Sequence, residues 1–288
     1  MCSAKLAIVT GSNKGIGYAV VKALCDQFDG DVYLTARDVS RGEKAVQTLN
    51  VLGLKPKFHQ LDVTDDGSVA EFKRFVEKNY AGINVLVNNA AIRYREDSAV
   101  SFAEQAAETS RVNYFALRRV CDALFPLLLP GARVVNVSSC AGLLSRIPGD
   151  GLRAEFSSPD LTVEQLDGLV ERFVNSAAAV NHEQSGWPSS AYVVSKVAVS
   201  ALTIIQQKEF DVDPRRKDIV VNSVHPGYVD TDMTSHMVGM GIPLSIDQGA
   251  EALVYLALLP EGEQRVKGQY VWNDKTVKNW REFVFEYN

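Results

Sequence analysis

Short runs rich in valine, isoleucine and leucine recur along the chain, over residues 5–10, 31–36, 56–61, 83–88, 132–138 and 218–224. Each run is close to continuously apolar instead of alternating, which suits strands buried on both faces, as in a parallel sheet. The segments between them carry helical periodicity. Over Ser68 to Tyr80, for example, Val69, Phe72, Phe75 and Val76 share one face. This alternation of strand and helix specifies a doubly wound α/β fold: a mostly parallel sheet, expected to have seven strands, with helices on both faces. Right-handed crossovers then gather the loops after the strand C-termini along one edge, where ligands bind.

A chain of 288 residues can bury one continuous core, so a single domain over 1–288 is expected. Helix starts are marked locally. Ser40 with Glu43 and Thr162 with Gln165 both read as capping boxes, in which each side chain satisfies the other residue's free backbone N–H. Residues 146–187 interrupt the alternation. They begin loop-like, with Pro148-Gly149-Asp150-Gly151 and Ser157-Ser158-Pro159, and turn helical from Thr162, where Leu166, Leu169, Val170, Phe173 and Val174 follow amphipathic spacing. Structureless loops of this length are uncommon, so the segment reads as a helical insertion packed on the main sheet.

With 46% hydrophobic and 23% charged residues, the composition is that of an ordinary globular protein. A net charge of −5 argues against a nucleic-acid partner, which would call for a basic stripe, and the pairs Arg118-Arg119 and Arg215-Arg216 read as solvated faces. Cys2, Cys25, Cys121 and Cys140 form no close pair, which fits a reducing compartment and offers no metal site. His59, His182, His225 and His236 lack ligand spacing and read as surface or loop residues. The apolar run Leu6 to Val9 is too brief for a signal peptide, no stretch approaches membrane-spanning length, and Glu286-Tyr287-Asn288 is no sorting signal. A cytosolic protein without a membrane partner is expected.

The first strand runs into Thr10-Gly11-Ser12-Asn13-Lys14-Gly15-Ile16-Gly17, after which a helix begins. Glycines there permit a tight turn and let the backbone approach a pyrophosphate resting on the helix N-terminus, whose free N–H groups favour negative charge. At the end of the second strand an acidic residue would hold a ribose 2′-hydroxyl. This chain has Arg37 instead, with Lys14 as a second cation on the same edge, so a 2′-phosphate is the natural ligand and NADPH the expected cofactor. The alternative is that Arg37 pairs with a carboxylate such as Asp38. Asp62, after the third strand, either accepts from the adenine amino group or caps its own turn.

Tyr192 and Lys196 stand four residues apart, on one helix face. A phenol is the neutral acid at neutral pH, and a fixed cation beside it stabilises the phenolate left after donation. Spacing alone does not distinguish this pair from Tyr18 and Lys22, which repeat it just past the glycine turn and read as packing and solvation. The difference lies in their surroundings. The fifth strand delivers Ser138 and Ser139 to the ligand-binding edge, where a hydroxyl can hydrogen-bond a substrate carbonyl, and Asn113 on the preceding helix can hold a water behind the lysine.

These motifs, with Asn88-Asn89-Ala90-Ala91 after the fourth strand and Pro226-Gly227-Tyr228-Val229-Asp230-Thr231 after the sixth, resemble the short-chain dehydrogenase/reductase family and its Rossmann-like fold. Within it the chain is similar to the monomeric NADPH-dependent carbonyl reductases over nearly its whole length. The resemblance implies that Ser139 orients the carbonyl, Tyr192 protonates its oxygen, Lys196 binds the nicotinamide ribose and Asn113 completes a water-linked relay. It also implies that Asn89 and its neighbours pack around the cofactor and that Val229 and Thr231 contact the nicotinamide carboxamide. Gly186-Trp187-Pro188-Ser189-Ser190-Ala191 matches the subgroup's lead-in to the catalytic helix, and the insertion before it implies a monomer.

Ala91 stands where the family usually has glycine, Tyr228 where its mammalian-type members have tryptophan, and Arg93-Tyr94-Arg95 adds charge near the pocket mouth. Tyr228 either packs its loop or stacks on substrate. The resulting expectation is reduction of aldehydes, ketones or quinones. The alternatives are a specialised steroid, prostaglandin or pterin carbonyl reductase, shaped by residues 140–144 and 228–241, and a non-catalytic NADPH-binding protein.

Overall fold

A computed structural model describes residues 4–237 and 241–285. Cys2, the chain ends and part of the 228–241 segment therefore lie outside the described residues. The strands are β1 (Leu6–Val9), β2 (Asp31–Ala36), β3 (Lys57–Gln60), β4 (Ile83–Asn88), β5 (Leu128–Val137), β6 (Val220–Val224), β7 (Tyr270–Val271) and β8 (Val277–Lys278). The helices are α1 (Gly15–Gln27), α2 (Val39–Val51), α3 (Asp66–Asn79), α4 (Phe102–Ser110), α5 (Ala116–Leu124), α6 (Asp150–Phe156), α7 (Val163–Ala178), α8 (Ala191–Val212) and α9 (Ile246–Ala257).

The strands form one sheet in the order β3-β2-β1-β4-β5-β6-β7-β8, parallel throughout except for the last pair. This corrects the expected seven strands. β8 is two residues long and closes a hairpin on the edge, where Trp272 N donates to Thr276 O at 2.8 Å and Lys275 takes a φ of 69°. So short and polar a strand carries no apolar run to read. Chain order reverses between β1 and β4, and the crevice beyond their C-termini is the switch point at which such sheets bind ligands.

Two apolar cores lie on opposite faces of the sheet. Leu6 and Ile8 of β1 face α3, α4, α5, α7 and α8, while Ala7 and Val9 face α1, α2 and α9. Burial on both sides is why the strand runs read as continuously apolar. In α3, Val69, Phe72 and Val76 are buried and Phe75 is half-buried, in keeping with the helical reading.

Local cues divide. Thr162 and Gln165 form the expected capping box of α7. Ser40 and Glu43 do not, because Asp38 accepts from Arg41 N at 2.9 Å and starts α2 one residue before Ser40. A carboxylate placed two residues earlier captured the free N–H first. In the 146–187 segment, α6 and α7 pack with Trp187, whose ring lies 6.1 Å from Phe156 and 5.5 Å from Phe173. Arg118 is not a solvated residue: it pairs with Asp167 on α7, and Tyr114 donates to the same carboxylate at 2.8 Å. His225 lies in a loop but is buried, its ring centre 4.3 Å from that of Trp272.

Candidate active site

At the C-terminal end of β1 the chain makes its turn with Gly11 and Gly15 both at φ 60°. A β-carbon on Gly11 would fall 2.8 Å from Ala90 Cα, so the glycine is required by backbone angle and space alike. One on Gly17 would meet Asn89 Nδ2 at 2.4 Å and Ser12 Cα at 2.9 Å. Asn89 occupies that space because its Nδ2 donates to Thr10 O and Gly11 O, each at 3.0 Å. Its role is thus to brace the glycine turn from β4. Thr10 returns the tie, with Oγ1 accepting from Asn89 N and Ala90 N. No side chain caps α1, so its first N–H groups are left for a ligand. The turn has the shape and polarity that fit a dinucleotide pyrophosphate.

The cations near it behave differently from each other. Arg37 makes no ion pair with any described residue, since Asp38 faces Arg41 at 3.6 Å. Lys14 instead reaches across to Asp232 at 2.6 Å, an exposed pair. Asp62 caps its own turn, its Oδ1 accepting from Thr64 N and Oγ1. Those bonds and the nearby Arg37 and Arg111 charges hold its carboxyl below the usual range, against the opposing effect of burial, which is the largest single influence. Asn13 and Ile16 lie on the same turn, with Ile16 on the wall of the central cavity.

That cavity, of about 440 Å³, lies beyond β4, β5 and β6 and brings together Ile16, Asn89, Ser139, Tyr192, Lys196, Tyr228, Val229 and Thr231. Arg37, Asp62 and Asn113 do not line it. Ser139 opens a short 3₁₀ turn and its Oγ accepts from Ala141 N at 3.2 Å, while Tyr270 OH donates to its carbonyl at 2.6 Å. Gly142 lets this turn seat against α8, since a β-carbon there would lie 2.7 Å from Lys196 O. Ser138 also borders the cavity, but its hydroxyl is engaged with that of Ser200 at 2.8 Å.

Tyr192 and Lys196 occupy the first turns of α8, which Ser190 caps. Burial pushes the Tyr192 hydroxyl up to about 12, against the lowering effects of a hydrogen bond with Ser139 and the Arg93 charge. Burial also draws the Lys196 ammonium down to about 7. Its Nζ donates to Val137 O at 2.7 Å and lies 5.6 Å from the Tyr192 ring centre. Asn113 lies in a π-helical turn, Arg111–Phe115, between α4 and α5. Its side chain holds Ile92 through both N–H and carbonyl and donates to Ser195 Oγ at 3.0 Å. The amide is therefore engaged with the β4 loop and α8, not directed at Lys196.

Two further contributors were not apparent from sequence. His225 Nδ1 accepts from Cys140 N at 2.9 Å on the cavity wall, and burial lowers its imidazolium to about 3, so it is neutral there. Phe285 lines the cavity from the far end of the chain and its carbonyl accepts from Arg146 at 2.7 Å. Only the histidine, next to the Pro226-Gly227 turn, carried any local signal. Tyr228 donates to Met237 O at 3.1 Å, which is the loop-packing alternative, with its ring still on the wall.

Residues 5–149 match the family model for the short chain dehydrogenase. Carbonyl reductase (NADPH) 3 of Mus musculus is 44% identical over 97% of this chain and 99% of its own length. Carbonyl reductase (NADPH) 1 of Homo sapiens is 43% identical, over 96% and 98%. Among solved structures, salutaridine reductase from Papaver somniferum superposes with a TM-score of 0.82 at 29% identity, over 92% of this chain and 99% of that one. The NADPH-bound carbonyl reductase from chicken fatty liver shares the fold, with a TM-score of 0.68 at 23% identity, over 97% and 100%. Identity of this order across almost the whole length places the chain in the short-chain dehydrogenase family.

Proposed function

We propose that the chain is an NADPH-dependent carbonyl reductase acting on aldehydes, ketones or quinones. The observation that carries this reading is the shared cavity, where a protonated tyrosine and a serine hydroxyl stand at the sheet edge beside the glycine turn. The names of its relatives support the same chemistry.

When bound, the reduced nicotinamide supplies the hydride that reaches the carbonyl carbon. Gly11, Asn13, Lys14, Gly15, Ile16 and Gly17 would hold the cofactor's pyrophosphate, Arg37 its 2′-phosphate, Asp62 and Asn89 its adenine side and cleft, and Val229 and Thr231 its nicotinamide end. Ser139 donates to the substrate oxygen and orients it. Tyr192, held as the neutral acid by burial, passes its proton to that oxygen as negative charge develops. Lys196 in its charged form stabilises the resulting phenolate and binds the nicotinamide ribose. Asn113 acts as a positioning residue, tying the β4 loop to α8. Tyr228 borders the substrate.

The reading extends to one domain over 1–288 and a monomer in the cytosol. No helix among the described residues is long and apolar enough to cross a membrane. Tyr192→Phe is the test. With NADPH and an aromatic aldehyde or quinone, kcat should fall by a factor of about 10² to 10⁴ while NADPH binding, followed by fluorescence, persists. Near-normal turnover in this variant would remove the tyrosine from the chemistry.

A further inference from the structure

The cavity around Tyr192 carries more positive charge than reduction of a neutral carbonyl requires. Arg93, four residues past the Asn89 brace, brings its guanidinium carbon to 5.4 Å from the Tyr192 ring centre, and its side chain is only 23% exposed. Of the five donors a guanidinium carries, Nη1 reaches the thioether of Met237 at 3.3 Å, a weak acceptor. Nη2 lies 3.8 Å from Glu96, beyond hydrogen-bond length, and that carboxylate is 90% exposed. Arg146 lines the same cavity, and Glu96 is the one carboxylate among the described residues that line it. A largely desolvated guanidinium whose carboxylate neighbour is an exposed one beyond hydrogen-bond length is costly unless something else supplies the acceptor.

We infer that the site takes carbonyl compounds bearing an anionic group, a carboxylate above all, held by Arg93 while the carbonyl oxygen lies at Ser139 and Tyr192. This rests on the reductase reading given above. The planar fork matches a carboxylate in two parallel hydrogen bonds, and partial burial strengthens them. Nothing in the reaction consumes the carboxylate: the substrate carbon gains a hydride from NADPH, the oxygen gains the Tyr192 proton, and the anion only anchors. The competing account is that Arg93 merely stacks on the tyrosine ring, which would leave the site blind to substrate charge.

The experiment compares kcat/KM for the meta and para carboxybenzaldehydes with that for their methyl esters, using NADPH and the full chain. The ester group makes its aldehyde more electrophilic, so preference for the acid cannot come from intrinsic reactivity. The acid should be favoured about 10- to 100-fold in at least one isomer. Arg93→Gln should collapse that ratio, and Arg93→Lys, which keeps the charge but loses the fork, should retain part of it. Removing the guanidinium also acts on Tyr192, but acid and ester share that tyrosine, so the effect cancels in the ratio. Reduced esters with an acid-to-ester ratio at or below one in both isomers, or a ratio that Arg93→Gln leaves in place, overturn the inference and leave the reductase reading standing. If neither acids nor esters are reduced, both fall together.

Discussion

Arg37 and Lys14 look equivalent in sequence, yet they differ once folded. Lys14 is already paired with Asp232, in an exposed contact of the kind that contributes little, whereas Arg37 has no ion-pair partner among the described residues. Choice between the two nicotinamide cofactors should therefore rest mainly on Arg37. Arg37→Asp should raise the ratio of the NADPH dissociation constant to that of NADH by about 10- to 100-fold, while Lys14→Ala should change it by only a few fold. Titration of cofactor fluorescence measures both, and an unaltered ratio in Arg37→Asp would refute the assignment. At this scale the sequence was legible where company could be read. Tyr18 and Lys22 repeat the spacing of Tyr192 and Lys196, but Lys22 is held by Asp247 at 2.9 Å and Tyr18 simply packs. What could not be read was orientation: Ser138 and Ser139 both border the cavity, but the Ser138 hydroxyl is spent on Ser200 and Lys196 O. His225 and Phe285 reach the wall through tertiary packing that leaves no local mark.

Glycine has opposite consequences in two helices, and this gives a test of how the cofactor cleft is built. In α1, Gly17 has no room for a β-carbon, which would strike Asn89 Nδ2 at 2.4 Å and displace the amide from Thr10 and Gly11. In α7, a β-carbon on Gly168 meets nothing within 4 Å. Gly17→Ala should destabilise by about 1–3 kcal/mol and weaken NADPH binding about tenfold or more. Gly168→Ala should leave binding alone and stabilise by up to about 1 kcal/mol. Thermal midpoints and NADPH titrations on both variants check this, and unchanged binding in Gly17→Ala would show that Asn89 does not brace the turn. Long strands and helices were readable because each buries a recognisable face. Ends were less so: α2 is capped by Asp38 instead of Ser40 because two acceptors competed for one turn, and β8 is too short to show a pattern.

For the whole molecule the insertion decides what surface is left to a partner. α7 lies over α4 and α8 and buries Leu166, Leu169, Val170, Phe173 and Ala177, with Phe173 edge-on to Phe102 at 6.1 Å. Its outer side shows Glu164, Gln165, Glu171, Arg172 and Asn175 to solvent. The apolar faces of α4 and α8 beneath it are thus covered from within. Exposed large apolar residues such as Val51, Val180, Val212 and Ile242 come from separate parts of the chain. Sedimentation velocity at micromolar protein should give one species of 31.6 kDa. Phe173→Ala should cost about 3–5 kcal/mol and, by loosening α7 from α4, favour self-association through the uncovered face. A wild-type dimer would refute the covering role outright. A variant that loses stability but stays monomeric would show that α7 supports the core without shielding the surface beneath it, and the source of the monomeric state would then lie elsewhere on the sheet.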